Sequence, residues 1–205
     1  RWWSCNFMKT AIEHIIVLGG GKIASDIIIH LNAFQIDLNV VETEPTKFLS
    51  LQNLCNRLQV AFYKKYKRRE IIRLLRELTD HKKRVLIVSA NNNYIFPEEI
   101  IEQRHISIIN FHNAILPLNK GRHSATWLIY YEAAEAGVTW HFVDSGIDTG
   151  RVIANRTWPI DENESALQLT QAGILDGIDL FKSFIKELLL EGDIVHDDYI
   201  NHNTV

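Results

Sequence analysis

The chain is expected to form an α/β domain whose mostly parallel, twisted, Rossmann-like sheet is covered by helices on both faces. Three observations predict it. Short apolar runs alternate with helical periodicity from His14 onward, a triple glycine joins the first run to the first helix, and the alternation breaks after Phe111.

The run His14-Ile15-Ile16-Val17-Leu18 reads as a buried strand that ends in Gly19-Gly20-Gly21. Lys22 to Ala33 follows with Ile23, Ile27 and Leu31 spaced by four, the period of one helix face. Leu38 to Val41 is the second strand, Thr46 to Leu58 the second helix, and Gln59 to Phe62 a short third strand. Tyr63 to Arg69 is a basic run, read as a solvated loop opening a helix over Arg68 to Thr79 with Ile72, Leu75 and Leu78 on one face. Val85 to Val88 and His105 to Asn110 are the fourth and fifth strands. A loop with Pro117, Gly121 and Arg122 then leads to a helix over about Ala125 to Glu135, strands near Val138–Val143 and Val152–Trp158, and a final helix from Ser165 to Glu191 capped by Asn163 or Ser165.

Composition narrows the class. With 205 residues, 46% hydrophobic, the chain is long enough for one globular domain with a good core. Residues 1–7 precede the only methionine and are read as a leader, 8–192 as the domain, and 193–205 as a polar tail. A net charge of -3 argues against a dedicated nucleic-acid surface. No apolar stretch approaches the roughly 20 residues of a membrane span. The two cysteines, Cys5 and Cys55, make no disulfide framework, so a reducing cytoplasm is the expected compartment. The apolar positions of the last helix suit packing on the sheet, or else a homodimer contact.

Two motifs carry chemistry. Gly19-Gly20-Gly21-Lys22-Ile23-Ala24, between strand and helix, has the Gly-x-Gly-x-x-Ala form of a dinucleotide loop, with Glu42 or Glu44 placed to hold a ribose hydroxyl. The same glycines also serve as the tight turn that any parallel α/β fold needs here. The second motif is Asn110 and His112, two apart on a strand and therefore facing the same side, with Asp148 between Gly146 and Gly150 downstream. Alone, each has an ordinary structural reading as a strand-end histidine or a turn aspartate. Together they supply an amide, an imidazole and a carboxylate beyond the carboxyl end of a strand, where open α/β sheets bind ligands.

On Asn110-x-His112, Leu116-Pro117, Gly137-Val138-Thr139-Trp140-His141 and Ile147-Asp148-Thr149-Gly150, the chain resembles the folate-dependent formyltransferases. That superfamily includes glycinamide ribonucleotide transformylase and the catalytic domain of methionyl-tRNA formyltransferase. The resemblance is dense from about Val85 to Ile160 and implies the formyltransferase fold. It implies a formyl group taken from 10-formyltetrahydrofolate and placed on a primary amine. Asn110 and His112 would stabilise the oxyanion, and Asp148 would hold His112 charged and assist proton transfer. No metal is required. Asn92, Asn93, Tyr94, Ile95 and Phe96 occupy the position of the folate loop, with Val143, Asp144, Ser145, Gly146 and Ile147 as the opposite wall; a plain turn and a core Phe96 are the alternatives.

The acceptor is expected to be small. The chain departs from the family in Ala114-Ile115 and in Lys120-Gly121-Arg122, so Lys120 or Arg122 would meet an anionic or sugar-linked substrate, or would be solvated loop charges. The glycine loop, through Gly20, lacks the Ser-Asn pair that glycinamide ribonucleotide transformylases use for a phosphate, and little chain remains after Glu191 for a β-barrel domain of the tRNA enzymes. The stretch Gly121 to Trp127 resembles N-formyltransferases of nucleotide-linked amino sugars or of amino acids. Trp127 and Trp140 would form a stacking platform or belong to the core. The competing readings are a formyltetrahydrofolate hydrolase, an NAD(P)-dependent oxidoreductase built on Gly19–Ala24, and an inactive binding module.

Overall fold

The computed structural model describes residues 11–45, 50–80, 82 and 84–192. Residues 1–7, the 193–205 tail and the expected start of the second helix at 46–49 lie outside them. The elements run β1 (His14–Gly19), α1 (Gly21–Asn32), β2 (Asp37–Glu42), α2 (Ser50–Leu58), β3 (Ala61–Lys64), α3 (Arg68–Thr79), β4 (Val85–Ala90), α4 (Glu98–Ile101), β5 (Ile106–His112), α5 (Ser124–Tyr130), β6 (Glu135–Phe142), β7 (Val152–Pro159) and α6 (Ala166–Glu191).

The seven strands lie in the order β3-β2-β1-β4-β5-β6-β7. The first five in that order pair in parallel, and β6 and β7 are antiparallel. This is the expected Rossmann-like sheet. Both faces are covered, and β1 is buried at every position. Ile15 and Val17 pack with α1, α2 and α6, while Ile16 and Leu18 pack with α3, Phe96 and Ile100 of α4.

The last helix lies on the sheet. Phe181, Phe184, Ile185, Leu188 and Leu189 are buried against the α1 side. Ser165 caps it: its hydroxyl accepts from Gln168 N, and the Gln168 side chain accepts from Ser165 N at 2.9 Å.

Local sequence misleads in three places. The helix expected to reach Glu135 stops at Tyr130, since Glu132 turns into the left-handed region (φ 51°) and Glu135 and Ala136 pair with Pro159 and Trp158. Sheet pairing there overrides the helix propensity of alanine and glutamate. The third strand lies two residues later than expected, because Gln59 (φ 57°) and the Val60 N–H to Cys55 carbonyl bond close α2. Tyr63 and Lys64, expected in a solvated loop, are thus strand residues. The one-turn helix α4 has no periodic signal and was not expected.

Candidate active site

The carboxyl ends of the parallel strands gather the candidate residues on one edge. The order reverses between β1 and β4, and their loops meet there: Asn91 Nδ2 donates to the Gly20 carbonyl at 3.5 Å. Gly19 (φ 146°) allows the close crossing, since a Cβ there would lie 1.8 Å from the Ala90 carbonyl oxygen.

Asn110 and His112 project from β5 as expected, and β6 lies beside them with Asn110 opposite His141 and His112 opposite Thr139. Along β6, Gly137, Thr139 and His141 share one face by strand alternation. Gly137 gives room to Ile115, whose Cγ1 would be 2.6 Å from a Cβ. Thr139 is fully buried; its hydroxyl donates to the Ala114 carbonyl at 2.7 Å and accepts from Leu116 N at 3.1 Å. These two residues brace the loop that follows β5. His141 enters the site itself.

Asp148 sits in the left-handed region (φ 51°), an uncommon place for a non-glycine residue and one met at functional turns. Gly150 permits the turn, since a Cβ would lie 1.9 Å from the Phe142 carbonyl oxygen. Asp144 ties the same turn by accepting from Gly146 N at 3.0 Å and Thr149 Oγ1 at 2.6 Å. The Asp148 carboxylate then meets three groups. Oδ2 accepts from Gly121 N at 2.8 Å and lies 3.5 Å from His112 Nδ1, while Oδ1 is 3.6 Å from His141 Nε2.

The hydrogen-bond partners assign the two rings. His112 Nε2 is 2.9 Å from the Asn119 carbonyl, which only accepts, and Nδ1 faces a carboxylate. A hydrogen on Nε2 satisfies the carbonyl. His141 Nδ1 meets the Phe142 carbonyl at 2.7 Å and must carry hydrogen, while Nε2 is 3.2 Å from Asn110 Nδ2. A neutral ring accepts that amide hydrogen, and burial drives the His141 pKa below its ordinary value despite the nearby Asp148. The two rings meet edge to face at 6.4 Å.

The remaining expected site residues are distributed unequally. Asn92 is occupied, accepting from Thr43 Oγ1 after β2 at 2.6 Å and from Tyr94 N in its own loop at 3.1 Å. Asn93 bonds Glu44. Tyr94 meets Phe96 edge to face at 5.3 Å, and burial pushes its hydroxyl up to about 12. Phe96 is buried in the α3-side core, with Val143 packed against the same cluster. Ile95 and Ile147 are instead well exposed, as is Leu118. Ser145, Lys120 and Arg122 are exposed, and Gly121 is held by Asp148.

Trp140 is not a stacking platform. It is fully buried, donates from Nε1 to the Gly177 carbonyl at 2.8 Å, and packs on Phe111 and Phe181. Trp127, by contrast, is not core: it is half exposed and stacks on Tyr131 at 5.8 Å. The two acids of the dinucleotide reading are both engaged, Glu42 by the Tyr66 hydroxyl at 3.3 Å and Glu44 by Asn93. Among the described residues, no group of three or more His, Cys, Asp or Glu is arranged to hold a metal ion.

A family model described as formyl transferase matches residues 13–177, which include every strand and all the residues of this site. The chain belongs to the formyl transferase family. A methionyl-tRNA formyltransferase from Caldanaerobacter subterraneus subsp. tengcongensis is 30% identical over 155 residues, covering 76% of this chain and 48% of that protein. Another, from Pelobacter propionicus, is 34% identical over 84 residues, covering 41% and 26%. The chain therefore spans about half or less of the curated relatives it matches. Among solved structures, phosphoribosylglycinamide formyltransferase from Anaplasma phagocytophilum superposes with a TM-score of 0.74 at 19% identity, covering 94% of this chain and 97% of that one. WlaRD, a sugar 3N-formyl transferase solved with dTDP and 5-N-formyl-THF, superposes at 0.71 and 21% identity, covering 95% and 71%. Both share the formyl transferase fold.

The sequence motif held a clue that the expected triad left unused. His141 was visible as the last residue of Gly-x-Thr-x-His, and its alternation with Thr139 and Gly137 puts it on the side facing Asn110.

Proposed function

We propose that this chain transfers a formyl group from 10-formyltetrahydrofolate to the primary amine of a small acceptor, a nucleotide-linked amino sugar or an amino acid. One observation carries the reading: Asn110, His112 and Asp148 converge with His141 at the carboxyl edge of the sheet, with 3.2 to 3.6 Å between neighbouring groups.

The amine nitrogen forms a bond to the formyl carbon, and the carbonyl π electrons move onto oxygen. Asn110 Nδ2 and His112 donate hydrogen bonds to that oxyanion, in a site where preorganised donors act at low dielectric. With Asp148 beside Nδ1, the Nε2 hydrogen of His112 is the one left for the oxyanion, given up by the Asn119 carbonyl. Asp148 takes the amine proton, directly or through water. The oxyanion then re-forms the carbonyl as the carbon–N10 bond breaks, the proton taken by Asp148 passes to N10, directly or through water, and tetrahydrofolate leaves with the formamide formed on the acceptor. Exposed Ile95 and Ile147 offer apolar walls to the donor, beside the backbone of residues 92–96 and 143–147.

Lys120, Arg122 and Trp127 support a small acceptor. Two cations flank Gly121, whose N–H is fixed on Asp148, and an exposed indole follows on α5. They suit a phosphate and a ring on the acceptor.

Incubation with 10-formyltetrahydrofolate and a panel of amines, followed by product mass, tests the reading. The panel holds amino-sugar nucleotides, amino acids and methionyl-tRNA. A small amine heavier by one formyl group is expected. Formate release without any formylated amine would favour the hydrolase, and product on the tRNA alone would overturn the small acceptor.

A further inference from the structure

We propose that His141 is a positioning residue that sets the orientation of the Asn110 amide by presenting it with a neutral ring nitrogen. This deepens the formyl-transfer reading and rests on it for its kinetic consequence.

Three observations carry it. The Phe142 carbonyl, 2.7 Å away, can only accept, so Nδ1 holds the ring hydrogen and Nε2 is left with a lone pair. That lone pair lies 3.2 Å from Asn110 Nδ2 and takes one amide hydrogen, while the second hydrogen on Nδ2 stays free to donate. The ring is 2% exposed, wedged between Asn110 on β5 and Asp148 on the turn after β6, so bulk water does not compete for that bond. Without an acceptor there, the amide loses the partner that holds its Nδ2 end, and its oxygen can turn toward the oxyanion, where it repels.

Charge on His141 would undo the arrangement. An added hydrogen on Nε2 would face the Asn110 amino group and reach instead for Asp148 Oδ1 at 3.6 Å, in competition with His112. The charged and titratable groups around the ring are Asp148, His112 and Asp144, and burial outweighs the two carboxylates in keeping it neutral. His141 would therefore act differently from His112, whose Nε2 faces the Asn119 carbonyl and not a side-chain amide.

The test combines nitrogen-15 NMR of labelled protein with kinetics of His141→Leu and His141→Gln. In the wild type, a neutral His141 with its hydrogen on Nδ1, and an Asn110 side-chain amide resonance shifted by the bond, are expected. That resonance should move when His141→Leu removes the acceptor. In formyl transfer, His141→Leu should lower kcat by about 10- to 100-fold, the size of loss known for the outer-shell groups that orient metal-bound histidines, with the donor KM little changed. His141→Gln, whose side-chain oxygen restores an acceptor, should recover most of the loss. It should also remove from the acid limb of the pH profile the step belonging to this ring. Near-normal kcat in the leucine variant, or a wild-type ring carrying its hydrogen on Nε2, would overturn the proposal. Wild type inactive toward every amine would sink the formyl-transfer reading alone, and the NMR would still decide the orientation of Asn110.

Discussion

At the scale of single residues, function rests on who can donate and who can only accept. His112 stands between a carbonyl and a carboxylate, and Asp148 accepts from Gly121 N and lies beside both imidazole rings. Replacing His112 by Ala should lower formyl transfer by about 10²- to 10³-fold, the typical loss for one oxyanion donor. The melting temperature should hold within a few degrees, and turnover near wild type would refute the role. A second expectation concerns pH. His141 and His14, both buried, have pKa values below the ordinary 6.5. The unfolded chain therefore binds protons that the native state refuses once pH falls below about 6.5. Stability should be complete above that pH and decline as the solution is acidified. A melting temperature flat from pH 7.5 to 5 would contradict this. Asn110, His112 and Asp148 were legible because strand alternation and flanking glycines are local signals. The ring state of His141 was not, since it depends on a carbonyl and an amide that only the β5–β6 pairing brings together.

At the scale of elements, periodicity gave the strands and long helices, and failed where a turn residue cut across it. The α5–β6 junction is one such place: Ala133, Ala134 and Glu135 favour helix, yet Glu132 adopts a positive φ and Ile160 N bonds the Ala134 carbonyl. Trp127 and Trp140 make the same point. They look alike in sequence, but Trp140 lies on a strand between Phe111 and α6, and Trp127 on a short helix at the surface. A glycine and a helix cap give predictions here. Gly150→Ala should misplace Asp148, because its Cβ would collide with the Phe142 carbonyl; formyl transfer should fall more than donor binding, and equal loss of both would oppose it. Ser165→Ala removes a capping box from α6 and should cost about 1 kcal/mol. Chemical denaturation would show it, and an unchanged midpoint would mean that the cap contributes nothing.

At the scale of the molecule, sheet order decides where ligands sit. The reversal between β1 and β4 opens the carboxyl edge, and the β4, β5 and β6–β7 segments all deliver residues there. The fold class was readable from the alternation of elements, and the family from motifs some 40 residues apart. The acceptor was not, because exposed residues such as Lys120, Arg122 and Trp127 obey no packing rule that sequence can report. Thermal shift with 5-formyltetrahydrofolate, NAD and NADP in parallel should show stabilisation by the folate alone, since a ligand bound only to the native state raises apparent stability. A shift with the nucleotides and none with the folate would revive the dinucleotide reading. The most direct trial of the whole account is formyl transfer by Asp148→Asn, measured beside its affinity for 5-formyltetrahydrofolate. The account predicts near-normal folate affinity with transfer reduced by at least about 100-fold; transfer within a few-fold of wild type would contradict it.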